Sequence, residues 1–266
     1  MEKSKRVKGY IFWHKEVPYT IWDDDIWVPI QAGTESNGRI GIYGGIADNE
    51  GADNISYWNP FYAETTCMYS IWKNHPKDCE YIMQTQYRRR FDIHSEETID
   101  ELFKEHDVVA AAPICMSSTV AQQYSYCHSP FDLPKLKKVL LSLYPEYERS
   151  WEAFIENGHL LFNSNGFIMK ESDYDRYCGW LFSILGEYKK ELGYNTVEEL
   201  DRDISRQIEE GVRHPLNNRG TEENAVQYQR QLGGFASERL LTLYILHNYS
   251  HERIGVIPYL KMENCP

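Results

Sequence analysis

Short apolar runs alternate with longer amphipathic stretches along most of this chain, and that alternation limits the fold more than any one motif. Residues 9–13 (G-Y-I-F-W), 27–31, 81–84, 108–112, 160–170 and 254–259 read as strands, several too short or too apolar for surface helices. Between them lie helices with legible starts. Asn59-Pro60 places a cap and a proline at a first helical position. Phe61, Thr65, Met68, Tyr69 and Trp72 then share one face. Ser95 caps the run of Ile99, Leu102 and Phe103, and Asp132 opens one with Leu136, Val139, Leu140 and Leu143. Ser172-x-x-Asp175 has the form of a capping box ahead of Tyr177, Leu181, Ile184, Leu185 and Tyr188, with Gly193 as the stop. Thr196-x-x-Glu199 starts another helix, and Gly233-Gly234 precedes the last long one. Strand and helix alternating over 266 residues predicts one α/β layer sandwich with a mostly parallel sheet, a single domain spanning 1–266. Two polar stretches, 34–51 and 214–224, are long enough to be functional loops.

Charge and composition exclude several function classes. A formal charge of −12 argues against nucleic acid as partner, since that needs a broad basic face. It permits a small anion in a local basic pocket, because local field and net charge are separable. No apolar run approaches the roughly 18 residues of a membrane span, and the basic N-terminal stretch lacks the apolar core of a leader. The six cysteines show no C-x-x-C spacing and read as reduced thiols of a cytoplasmic protein. No H-E-x-x-H, G-x-S-x-G or P-loop is present. The 20 tyrosines suit sugar rings and bases as well as a core.

Against that acidic background, Tyr87-Arg88-Arg89-Arg90 follows an apolar strand. Ligands of open α/β sheets bind beyond the carboxyl ends of strands. Strand alternation would put Arg88 and Arg90 on one face and Arg89 on the other. Guanidinium forks match phosphate oxygens, and one such pair at ~4 Å gains roughly 4 kcal/mol at an effective dielectric near 20, before desolvation. The competing reading pairs these arginines with some of the 40 acidic side chains. Asp23-Asp24-Asp25 reads as a metal site or as a solvated turn. Asp53-Asn54-Ile55-Ser56 is a polar turn over a helix start, with Glu64, Lys73 and Asn74 further along that helix. Arg230-x-x-Gly233-Gly234 leads to Glu238, expected in a helix's first turn, where the dipole keeps a carboxylate ionised as a base. Pairing with a neighbouring arginine is its structural alternative. His128 reads as a loop histidine, solvated or catalytic.

Taken in order, these segments resemble the capsular-polysaccharide and O-antigen glycosyltransferase family that long carried only an unknown-function label, galactofuranosyltransferase-like members included. The resemblance rests on D-N-I-S at 53–56, N-P-F-Y-A-E-T at 59–65, W-K-N at 72–74 and Q-Y-R-R at 86–89. Gln123, Tyr124 and His128, Y-P-E-Y at 144–147, F-I-M-K at 167–170 and the segment from Arg230 to Leu241 extend it over roughly residues 5 to 260. Two positions depart: Gln86 stands where the pattern has histidine, and Gly166 where methionine is usual after Asn165.

The resemblance implies a GT-A-like fold and transfer of galactofuranose or another hexose from a UDP-sugar donor to a capsule or O-antigen precursor. The glycan acceptor would be lipid-linked, which places a cytoplasmic enzyme peripherally at the inner membrane face. Arg88 and Arg90, with Tyr87 and Arg89, would hold the diphosphate, and Asp53 and Asn54 would orient donor hydroxyls. Lys73, Asn165, Arg230 and Gly234 complete the implied donor site. Displacement would be single and inverting, with Glu238 as base and His128 as second candidate. Whether a divalent ion, Mn²⁺ or Mg²⁺, joins the diphosphate is left open, with Asp92 as its ligand. The rival readings are a non-catalytic glycan- or nucleotide-binding subunit of polysaccharide assembly and a nucleotide-sugar hydrolase.

Overall fold

The computed structural model describes residues 6–15, 26–38 and 45–261; Asp23, Asp24 and Asp25 lie outside them. Its strands are β1 (Val7–Trp13), β2 (Trp27–Gln31), β3 (Ile46–Ala47), β4 (Tyr81–Gln86), β5 (Arg89–Arg90), β6 (Val108–Ala111), β7 (Ile114–Cys115), β8 (Leu160–Leu161), β9 (Phe167–Lys170), β10 (Ile254–Ile257) and β11 (Leu260–Lys261). Seven of these make a central sheet in the order β10-β6-β9-β4-β1-β2-β3. Every neighbouring pair is parallel except the two made by β9, which runs antiparallel to β4 and β6. The centre of the sheet is apolar on both faces, as a sheet covered by helices on both sides must be. Tyr10 and Phe12 of β1 join one core cluster, while Ile11 and Trp13 point into the other.

The helices are α1 (Thr34–Asn37), α2 (Asn59–Tyr62), α3 (Thr65–Asn74), α4 (Glu96–Glu105), α5 (Val120–Cys127), α6 (Asp132–Leu143), α7 (Glu148–Trp151), α8 (Glu171–Leu192), α9 (Val197–Glu209), α10 (Ala225–Gln229) and α11 (Leu232–Asn248). Residues of α3, α6, α8 and α11 fill the larger cluster, and Ile99, Leu102 and Phe103 of α4 close the smaller one. None of the described helices is long and apolar enough to cross a membrane.

Several caps fall where the sequence puts them. Ser95 Oγ accepts from the Thr98 amide at 3.4 Å and Thr196 Oγ1 from Glu199 at 3.2 Å, and Gly193 ends α8 at φ 82°. Four expectations change. The helix expected from Asn59 onward breaks at Ala63, φ 50°, leaving α2 and α3 as separate pieces. The strand expected over 160–170 splits into β8 and β9 around a turn in which Ser164 (φ 66°) and Asn165 (φ 48°) are both left-handed. Helix α8 begins at Glu171 behind Lys170 with no side-chain cap, so Ser172 and Asp175 do not form its start. Helix α11 begins at Leu232, which puts Gly233 and Gly234 inside its first turn and Glu238 in its second. Close approach to α2 requires those glycines: a Cβ on Gly233 would sit 2.7 Å from the Phe61 ring, and one on Gly234 2.7 Å from Ala63 Cβ.

Gly166 has a similar explanation. Strand β11 pairs antiparallel with β5, and the preceding Tyr259 stacks on Phe91 with centroids 5.2 Å apart. Its hydroxyl occupies the space a side chain at 166 would need, 1.7 Å from a Cβ built there. Gly166→Ala should therefore cost about 1–3 kcal/mol through overpacking. In a urea-unfolding cycle the loss should nearly vanish when Tyr259→Ala is already present; an additive double variant would mean that Tyr259 is not the obstacle.

Candidate active site

Strand β1 is followed by β2 on one side, and β4 then enters on its other side, so the strand order reverses between β1 and β4. Register aligns their ends: Phe12 pairs with Gln86. A cavity of about 630 Å³ opens beyond these carboxyl ends, the place where open α/β sheets bind ligands. Its walls come from the ends of β1 and β4, the break at Ala63, the 163–166 turn, α5 and α11.

Two carboxylates face this space. The helix break at Ala63 delivers Glu64, whose Oε1 accepts from Gln86 Nε2 at 3.0 Å and Asn165 Nδ2 at 3.1 Å. Burial and the nearby Glu238 carboxylate raise the pKa of Glu64. Glu238 accepts from the Ser164 amide at 2.7 Å and from Arg239 Nη1 at 3.0 Å. Those two bonds hold Glu238, not the helix N-terminus expected from sequence. Arg239 is itself only 2% exposed and donates to Gln123 Oε1 at 2.6 Å and to the Phe235 carbonyl at 3.1 Å.

Arg88, Arg89, Arg230 and Arg239 also line the cavity, so its described walls carry four guanidinium groups against two carboxylates in a chain of charge −12. Arg230 is held by Asp201, 2.8 and 2.9 Å from its two oxygens. Among the described residues no carboxylate lies within ion-pair distance of Arg88 or Arg89, whose neighbours are the rings of Tyr87 and Tyr259. The sharing of one face by Arg88 and Arg90 does not occur. Strand β4 stops at Gln86, Tyr87 turns inward against Trp13 (centroids 5.3 Å apart), and the chain reverses through Arg88 into β5. Arg88 and Arg89 therefore meet the cavity, while Arg90 lies outside its walls, with Nη2 3.5 Å from His94 Nε2.

His128 lines the cavity but is not a solvated loop residue. It is 3% exposed, stacked on Phe235 with centroids 3.9 Å apart, and its Nδ1 lies 3.1 Å from Gln229 Oε1. The Gln229 amide donates to the Cys127 and Leu216 carbonyls, so its oxygen takes the His128 Nδ1 proton. Burial, with Arg239 close by, lowers the His128 pKa to about 3, and the ring is neutral at pH 7.

Other sequence candidates sit elsewhere. Asp53 accepts from the Tyr69 hydroxyl at 2.8 Å, Asn54 closes a turn onto the Gly51 carbonyl at 2.9 Å, and Lys73 lies 3.5 Å above the Trp72 ring. None of these three lines the cavity. Asn165 is fully buried and reaches it through Glu64, while Gly234 lines it as the packing point against Ala63. Asp92 is exposed beside His94 at 3.2 Å, and among the described residues no three His, Cys, Asp or Glu side chains converge as metal ligands. Sequence reading has Glu64 only as a polar residue on a helix, gives Ser164 no role, and offers an arginine beside Glu238 only as its structural partner, a pairing that Arg239 makes. The buried Asp48, which accepts from the Gly33 and Thr34 amides at 2.6 and 3.0 Å, carried no local signal at all.

A family model described as a domain of unknown function (DUF4422) matches residues 8–210, a span that includes Glu64, Arg88 and Ser164 but ends before α11. No curated protein matches. Among solved structures, the chain is similar to one described as the WbbM bifunctional glycosyltransferase in its apo form, with TM-score 0.73 and 24% identity. That likeness covers 97% of this chain and 45% of the other, so the chain spans less than half of that protein's length. At this identity the likeness is one of fold.

Proposed function

The chain belongs to the DUF4422 family, and from that premise we propose that it is a glycosyltransferase acting on a UDP-sugar. The observation that carries the reading is the pair Arg88 and Arg89, without carboxylate partners among the described residues, at the rim of a switch-point cavity that also holds Glu238. The fold likeness to a glycosyltransferase supports it. In the reaction, the guanidinium groups balance the charge that builds on the departing diphosphate, the electrostatic task with the largest leverage on such a barrier. Glu238 takes the proton of the acceptor hydroxyl as its oxygen attacks the anomeric carbon. The bond from that carbon to the phosphate oxygen breaks, and UDP leaves with inversion. The transferred sugar is galactofuranose or another hexose, and the acceptor a lipid-linked capsule or O-antigen precursor met at the inner membrane face.

Calorimetry with UDP tests the premise directly. Arg88→Ala should weaken UDP binding about 10- to 100-fold, the value of a charge-assisted bond to phosphate. An unchanged Kd would remove the assignment.

A further inference from the structure

We propose that Glu64 binds the hydroxyl groups of the sugar being transferred and so restricts the donor to neutral hexoses. The inference rests on the glycosyl-transfer reading and adds the residue that reads the sugar and the donors it turns away. Glu64 is half committed: Oε1 takes both amide donors, from Gln86 and Asn165, and Oε2 accepts from no other residue among the described ones, the Glu64 backbone amide being the one further donor to the carboxylate. Two donors from different elements fix the plane of the carboxylate, and the second oxygen stays available within the cavity wall. Side chains arranged in this way serve ligands that bring hydrogen-bond donors.

Position selects which ligand part that is. Gln86, the anchor of Glu64, is the last residue of β4, two residues before Arg88. A sugar ring linked to a diphosphate lying against Arg88 and Arg89 is one bond removed from the phosphate, so its hydroxyls fall near the Gln86–Glu64 end of the cavity. Charge then selects the sugar. Glu64 and Glu238 lie close enough for each to feel the other, and burial has already raised the pKa of Glu64. A hexuronate would add a third negative group to this pair, whereas a hexose brings only hydroxyl donors. A site built to hydrogen-bond hydroxyls discriminates strongly, because its own polar groups are otherwise left unpaired.

The test compares wild type, Glu64→Gln and Gln86→Met with UDP, a panel of UDP-hexoses and the UDP-hexuronates. UDP affinity should stay within about twofold across the three proteins, since the diphosphate contacts are untouched. Glu64→Gln should lower kcat/KM for the best hexose donor about 50-fold and relax the rejection of hexuronate, which wild type should use at least about 100-fold less well than hexose. Gln86→Met, which removes one of the two anchors of the carboxylate and leaves Asn165, should lower kcat/KM about 10-fold with hexuronate still rejected. Equal losses for UDP and UDP-hexose in Glu64→Gln, or ready use of hexuronate by wild type, would overturn the inference alone. Failure of wild type to bind UDP would overturn it together with the glycosyltransferase reading.

Discussion

Glu238→Gln should cut turnover of a UDP-hexose about 10³-fold while UDP affinity stays within about threefold, the range expected when a general base is lost. The substitution keeps the shape of the side chain, and its amide oxygen can still accept from Ser164, 2.7 Å away in the parent. What it removes is a site able to take a proton at neutral pH. UDP affinity is insulated because the candidate diphosphate contacts, Arg88 and Arg89, come from the end of β4 and β5, while Glu238 comes from α11. Initial rates and calorimetry on one preparation separate the outcomes. If turnover survives, the base is elsewhere, and His128 is a poor refuge: burial and the Arg239 charge lower its basicity, and the ring is almost fully buried and committed to Gln229 through Nδ1. If UDP affinity falls with turnover, Glu238 acts as scaffold for the Ser164 turn.

How much of this was legible in the sequence divides along a physical line. The strands at β1, β2, β4, β6 and β10 and the caps at Ser95, Thr196 and Gly193 follow from period and local chemistry, and the structure places them where those rules do. What failed were positions where tertiary contacts hold the backbone in conformations its own residues disfavour. Ala63 takes φ 50° because Asn59 Nδ2 donates to its carbonyl at 2.7 Å and also reaches Thr66 Oγ1 at 3.2 Å. Nothing in N-P-F-Y-A-E-T announces that break, yet it delivers Glu64 to the cavity. Ser164 and Asn165 are a second case, tied by Glu238 and by Ser237 at 2.8 Å. Strain of this kind concentrates at functional sites, which is why the site was less readable than the fold. The arginine run misled for a related reason: alternation presumes a continuing strand, and β4 had ended. Asp53, Asn54 and Lys73 came from a resemblance in sequence order; Asp53 and Lys73 contact residues 69–74 of α3, and Asn54 closes a turn onto Gly51, instead of facing the cavity.

The wall behind His128 rests on one buried ion pair, and breaking it should have the largest stability effect in the molecule. Arg213 donates to both oxygens of Asp132, at 2.7 and 3.0 Å, with the two side chains only 1% and 6% exposed. The Tyr124 hydroxyl adds a bond to Asp132 at 3.0 Å, Arg213 Nε reaches Gln207 Oε1 at 3.1 Å, and the next residue, His214, donates its amide to the His128 carbonyl at 2.7 Å. Asp132→Ala would leave a guanidinium in apolar surroundings with its main partner gone, which costs about 3–5 kcal/mol. Replacing both members, as in Asp132→Leu with Arg213→Met, should recover most of that loss, because the penalty belongs to the stranded charge more than to the pair's net contribution. Lys104→Ala, which removes an exposed pair with Glu101 at 2.5 Å, supplies the solvated comparison and should cost under about 1 kcal/mol. Urea unfolding of the four proteins decides between them. A loss below about 1 kcal/mol in Asp132→Ala would mean that water reaches Arg213 and that the His128 wall is held by the stacking of Phe235 and Tyr124.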